Sequence, residues 1–147
     1  MPEIVMHSAL QNFKQLYLTL VREPVSESLL RSAYRDDIRF IDPVHNICGI
    51  TAMQQYFAGL YSNLNRCEFE FQHEIVQGDE AVLFWCMTYS HPKLRGGENI
   101  QVMGNSLLRF DQHGVYFHRD YVDMGAMLYE HVPLLGSAIR YLKRRMA

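Results

Sequence analysis

Two acids hold most of the chemistry open to this sequence, and they lie far apart in it: Asp42 in YRDDIRFIDPVH and Asp120 in HRDYVD. Phe40 and Asp42 stand two apart, so they share one face of an extended segment while Ile41 points the other way. Pro43 ends that segment because it has no N–H to give to a ladder. Asp42 is thus an acid at a strand end beside large apolar residues, where burial would raise its pKa. A carboxylate of raised pKa is suited to taking and returning a proton next to a carbonyl. A His45–Asp42 or His118–Asp120 pair could instead hold a water. Each acid also has a plainer reading: Asp42 caps its own turn through its side chain, and Asp120 pairs with Arg119, although alternation sends those two to opposite faces. His45 reads equally as a loop residue.

These groups need elements to position them. Leu10, Phe13, Leu16, Tyr17, Leu20 and Val21 recur at three- and four-residue steps, which predicts an amphipathic helix capped by Ser8 and stopped by Pro24. Ser26 opens a second helix through Leu29, Leu30, Ala33 and Tyr34 to the Asp36–Asp37 corner, and a short strand to Asp42 follows. Thr51 caps a third helix with Met53, Tyr56, Phe57, Leu60, Tyr61 and Leu64 on its apolar face. The period then switches to two. Strands are expected at 66–76, 80–91, 98–110 and 115–123, joined at hairpin spacing into an antiparallel sheet. Cys67, Phe69 and Phe71 share a face of the first of these, and Phe84, Cys86 and Thr88 share a face of the second. His118, Asp120 and Val122 share a face of the last. Trp85, Met87 and Tyr89 fall opposite Phe84 and are expected to pack against a helix or a second subunit. A helix from Pro133 to Met146 closes the chain, its cations Arg140, Lys143, Arg144 and Arg145 near its end.

Composition sets the limits. A chain of 147 residues is one domain's worth, read as a single unit over 1–147. A net charge of −2 gives no reason to expect nucleic acid or an anionic membrane as partner. Cys48, Cys67 and Cys86 lack CxxC spacing and read as reduced thiols of a cytoplasmic protein. The N-terminal stretch lacks a signal-peptide pattern, and no apolar run reaches the ~18 residues of a membrane span. His73, His91, His113, His118 and His131 are scattered without HExxH or HxH spacing, so no metal is expected. There is no glycine-rich phosphate loop, and Ser106 lacks the GxSxG setting of an acyl-enzyme nucleophile. No cofactor is expected.

YRDDIRFIDPVHNICG before a helix, RFDQHG before the last strand and HRDYVD within it, in that order, resemble the nuclear transport factor 2-like superfamily. Its members include ketosteroid isomerase, limonene epoxide hydrolase and the SnoaL-like polyketide cyclases. The resemblance covers nearly the whole chain. It implies an α+β cone: a curved antiparallel sheet wrapped around N-terminal helices, with an enclosed pocket and a C-terminal helix. It further implies that the faces bearing Phe84, Cys86 and Thr88, and His118, Asp120 and Val122, look into that pocket. By analogy with ketosteroid isomerase, itself a worked case of acidity tuning, Asp42 matches the proton-shuttling base and Tyr17 the oxyanion tyrosine. Ser106 stands where that enzyme has a second, acidic oxyanion donor. Asp120 matches an acid of limonene epoxide hydrolase, whose arginine and other aspartate fall at Cys86 and Thr88. The chain completes neither machine.

Asp42, Asp120, Tyr17 and His118 are therefore the catalytic candidates. His45, Phe40, Phe84, Cys86, Thr88, Ser106 and Val122 are the candidates for ligand contact. Two readings stand side by side. One is a cofactor-independent isomerase, cyclase or hydrolase moving protons on a hydrophobic, oxygen-bearing substrate. The other is a non-catalytic module that holds a hydrophobic ligand or dimerises, the homodimer forming through the outer sheet face.

Overall fold

The computed structural model describes residues 3–146. Helix α1 (Glu3–Leu20) is followed by a single turn of helix, α2 (Glu27–Leu30), then strands β1 (Tyr34–Ile41) and β2 (Asn46–Cys48), and helix α3 (Ile50–Ser62). Four long strands come next: β3 (Arg66–Gln77), β4 (Glu80–Ser90), β5 (Ile100–Asp111) and β6 (Gly114–Val122). The short helix α4 (Met124–Met127), a 3-10 turn (Tyr129–His131) and helix α5 (Leu135–Met146) close the described chain. The architecture is α+β, built on one curved sheet of order β2-β1-β6-β5-β4-β3.

The run β3 to β6 is antiparallel, as hairpin spacing requires, but β1 joins β6 in parallel, so the sheet is mixed. Only a long crossover can make a parallel pair, and the helix and four strands between β1 and β6 supply it. The inner face of the sheet packs on α1 and α3. Phe13, Leu16 and Leu20 of α1 meet Ile38 and Phe40 of β1, Leu83 of β4 and Leu108 and Phe110 of β5 in one buried cluster.

Several boundaries differ from the sequence expectation, each for a physical reason. Ser8 lies inside α1 rather than capping it. Ser26 does cap α2, its Oγ accepting from the Leu29 N–H at 3.0 Å, but the helix stops after Leu30. From Tyr34 the chain is strand, because β6 offers it a partner and sheet pairing overrides the helical period of Leu30, Ala33 and Tyr34. Gly49, at φ 88°, leads into α3 in place of Thr51, in a backbone conformation that favours glycine. The Asp36–Asp37 corner is tied to Arg31 and Arg35 by surface ion pairs at 2.8 and 2.6 Å.

The phase of β4 is the largest correction. Ala81, Leu83, Trp85, Met87 and Tyr89 are buried on the inner face, so Phe84, Cys86 and Thr88 lie on the outer face, with Phe84 beside His73. Both faces of this strand are apolar, so alternation alone gives no contrast by which to choose between them. A choice off by one residue turns every side chain over.

In β6 the phase is set by a bulge. Arg109 pairs with Phe117 while Phe110 pairs with Val115, which leaves Tyr116 as an extra residue. Val115 is buried, and without that extra residue Phe117, Arg119 and Tyr121 would follow it inward. The bulge turns His118, Asp120 and Val122 inward instead.

Candidate functional site

A cavity of about 290 Å³ lies between the inner sheet face and the helices. Its walls are mostly aromatic and aliphatic: Phe13 and Tyr17 from α1, Phe40 from β1, Tyr56, Phe57 and Tyr61 from α3, and Phe69, Trp85, Met87 and Tyr89 from β3 and β4. Met124, Met127 and Leu128 contribute beyond β6, where the Tyr89 hydroxyl donates to the Met127 carbonyl. Val44 and His45, 62% and 45% exposed, also line it, so the cavity opens to solvent on that side and is not sealed.

Asp42 and Asp120 both reach this cavity, together with Tyr17, His45, Phe40, Ser106 and Val122. His118 is fully buried behind the wall. Phe84, Cys86 and Thr88 do not reach it; Trp85, Met87 and Tyr89 take their place.

The two acids are bonded very differently. Asp42 Oδ1 accepts the N–H groups of Val44 at 2.8 Å and His45 at 2.6 Å, an Asx turn that fixes the corner after β1. Its Oδ2 accepts the Tyr56 hydroxyl at 2.5 Å. His45 Nδ1 lies 3.5 Å from Oδ1, and its ring packs on Tyr56 at 4.4 Å between centroids. Three donors from the protein thus occupy both oxygens of this carboxylate.

Asp120 sits at one end of a row of buried side chains. Its Oδ1 lies 2.5 Å from His118 Nε2 and accepts the Ser106 hydroxyl at 2.6 Å; Ser106 in turn accepts the Trp85 indole N–H at 2.9 Å. On the far side of the imidazole, His118 Nδ1 lies 2.7 Å from the Tyr34 hydroxyl, which lies 2.8 Å from that of Tyr17. Asp120 Oδ2 has no hydrogen-bond partner among the described residues. One oxygen is held by the protein, and the other is left to whatever enters the cavity.

The donors in this row can be assigned from partner chemistry. With Asp120 ionised and His118 neutral, Nε2–H donates to Asp120, Tyr34 donates to Nδ1, and Tyr17 donates to Tyr34. Burial pushes the Tyr17, Tyr34 and Tyr61 phenols well above the usual tyrosine range, and neighbouring phenols and acids add to it for Tyr17 and Tyr61. Burial, with Asp42 beside it, raises Tyr56 too. These hydroxyls therefore stay protonated and serve as hydrogen-bonding groups. Burial also lifts the Cys67 thiol, on the cavity wall, to about 12, which makes it a poor nucleophile near neutrality.

The profile of the SnoaL-like domain matches residues 20–118, two thirds of the chain, from the end of α1 to the middle of β6. This chain belongs to the SnoaL-like domain family. Among solved structures of similar fold is a protein from Jannaschia sp. CCS1 described as a SnoaL-like polyketide cyclase. It superposes with a TM-score of 0.71 at 18% identity, over 83% of this chain and 90% of that one. TsrD from Streptomyces laurentii gives 0.68 at 15%, over 86% and 94%. TerC, co-crystallised with polyporic acid, gives 0.69 at 13%, over 82% and 95%. At these identities the likeness is one of fold. No sequence among curated proteins matches.

The SnoaL-like site contains groups that sequence reasoning missed. Tyr34 reads as a helix end in the sequence, and only its pairing with Val115 on β6 brings it to His118. Tyr56 belongs to the apolar stripe of α3 in the sequence pattern, and its hydroxyl finds Asp42 only once α3 packs beside β1. Trp85 is positioned by Gly104 opposite it, where a Cβ would meet the indole ring at 2.4 Å. A glycine inside a strand often marks such a close approach, and that signal was present in the sequence.

Proposed function

We propose that this SnoaL-like chain binds a small, largely hydrophobic molecule bearing one or two oxygens, and that Asp120 exchanges a proton with it. The observation that carries this reading is the free Oδ2 of Asp120 on an otherwise apolar cavity wall, with Oδ1 held by His118 and Ser106. An apolar chamber with a few convergent polar groups suits such a ligand.

The chemistry follows from the geometry. Asp120 Oδ2 takes a proton from a carbon next to a carbonyl; the C–H bond breaks, an O–H bond forms on the acid, and the electron pair moves onto the carbonyl oxygen. Returning that proton to the same carbon is exchange alone, and returning it to a conjugated carbon completes an isomerisation. Where the carbanion instead attacks a second carbonyl, a C–C bond closes the ring, the π pair of that carbonyl moves onto its oxygen, and Asp120 gives its proton to that oxygen. Tyr17 lines the same cavity, and its hydroxyl, held by that of Tyr34, is the polar group of α1 nearest the charge that develops there. Asp42, held by three donors, shapes the cavity mouth in this reading and does not act as the base.

The test needs no knowledge of the natural substrate. A panel of polycyclic aromatic ketones in heavy water is screened for binding by calorimetry and for deuterium incorporation next to the carbonyl by NMR. The expected result is binding with exchange, and an Asp120→Asn variant that binds equally but exchanges about 10²–10⁴-fold more slowly. Binding without exchange in either protein would assign the cavity to ligand holding alone.

A further inference from the structure

Helix α5 is attached to the body by its polar edge. Gly136 is buried against the Glu130 carbonyl, Arg140 donates to that carbonyl at 2.7 Å, and Lys143 pairs with the Glu130 carboxylate at 2.9 Å. At 100° per residue these three positions share one side of the helix. Leu135, Ala138, Ile139, Leu142 and Met146 form a narrow apolar stripe roughly a quarter to a third of a turn away from it. That stripe is turned to solvent: Leu135 is 45% exposed, Leu142 58% and Met146 89%.

A 12-residue helix is marginal on its own in water, and an amphipathic one gains its stability by covering its apolar face. Here the polar side is docked and the greasy side is not. The charges indicate what covers it. The helix holds four of the chain's 14 basic residues and none of its 16 acids. Only Lys143 is paired with an acid, whereas Arg144 and Arg145 have no acid within ion-pair distance among the described residues. The chain's overall charge of −2 conceals this local excess.

We propose that α5 docks the protein on an anionic lipid surface, lying in the headgroup plane with Leu135, Leu142 and Met146 inserted and Arg145, at the edge of the stripe, among the phosphates. Arg144 falls on the opposite side of the helix. An apolar stripe flanked by cations on a helix of low mean hydropathy is the pattern of an interfacial helix. No described helix is long and apolar enough to cross a membrane, so the contact is peripheral. The docked helix is tied to the 3-10 turn next to α4, whose Met124 and Met127 line the cavity, so a lipid-soluble ligand would enter a protein already held at the surface that contains it.

The experiment is co-sedimentation of the full chain with vesicles of phosphatidylcholine alone and of an equimolar mixture with phosphatidylglycerol. The protein is expected to sediment with the mixed vesicles and to be released by high salt. Each cation near such a surface contributes roughly fivefold in affinity, so Arg145→Glu is expected to weaken binding by at least ~5-fold. Leu142→Glu should abolish it, with the circular dichroism spectrum and ketone binding of both variants unchanged. No sedimentation with either vesicle overturns the proposal, as does equal sedimentation with both. A dimer in ultracentrifugation that Leu142→Glu dissociates overturns it too, because the stripe would then belong to a second copy. Ketone binding, measured separately, keeps the fate of this proposal distinct from that of the cavity.

Discussion

Asp42 and Asp120 border one cavity, yet the protein treats them oppositely. Asp42 accepts two backbone N–H groups and a phenol, and nothing is left of it that the fold has not used. Asp120 accepts from His118 and Ser106 on a single oxygen and leaves the other open. The difference lies in chain geometry. Asp42 precedes a tight turn whose N–H groups point back at it, while Asp120 lies within β6, where its own backbone is engaged in the ladder and only side chains can reach it. An acid in a promising motif is available for chemistry only when its surroundings leave it something to do.

The contrast can be broken most directly by exchanging each acid for its amide. Asp120→Asn is expected to lose the ~10²–10⁴-fold of proton exchange described above, whereas Asp42→Asn should stay within a few-fold of the parent. Its loss should appear instead in urea denaturation, about 1–2 kcal/mol, since an amide accepts the turn's N–H groups less well. Equal loss of exchange in both variants would erase the distinction.

His118→Ala should be the costliest for stability. It opens a hole in the core and removes one of the two hydrogen-bond partners of Tyr34, for about 3–5 kcal/mol by denaturant unfolding. Gly104→Ala comes next at about 1–3 kcal/mol, because the new methyl meets the Trp85 ring, and near-ultraviolet circular dichroism should show that ring displaced. Tyr56→Phe is the mildest, about 1 kcal/mol. It sharpens the comparison best, because it frees Asp42 Oδ2; exchange that appears in Tyr56→Phe combined with Asp120→Asn would show that occupancy alone had silenced Asp42.

Alkali tests the phenols. Their folded pKa values lie above the unfolded value of about 10, so their contribution to stability is fully present below pH ~10 and is lost as pH climbs from there toward the raised values. Absorbance at the tyrosinate band should rise in two stages, exposed phenols first and Tyr17, Tyr34 and Tyr61 only as the fold opens. A single transition near pH 10 that accounts for every tyrosine would contradict their burial.

Much of the fold was legible because its signals are local: the switch from a period near 3.6 to a period of two, the hairpin turns and the stop at Pro24. The residues that failed depend on partners distant in sequence. Tyr34 continues a helical pattern until β6 claims it. The phase of β4 is set by what covers each face, and both faces offer apolar side chains, so Phe84, Cys86 and Thr88 could not be told from Trp85, Met87 and Tyr89 by alternation. The cations of α5 sit where a helix dipole would favour them in any case. Only the edge on which that helix docks gives them a second meaning.

Trp85 is the chain's single tryptophan, and its indole N–H is two hydrogen bonds from the carboxylate of Asp120. All indole fluorescence therefore originates from one point on the cavity wall. A change in that emission on mixing reports the arrival of a ligand at this wall in real time, with no label attached.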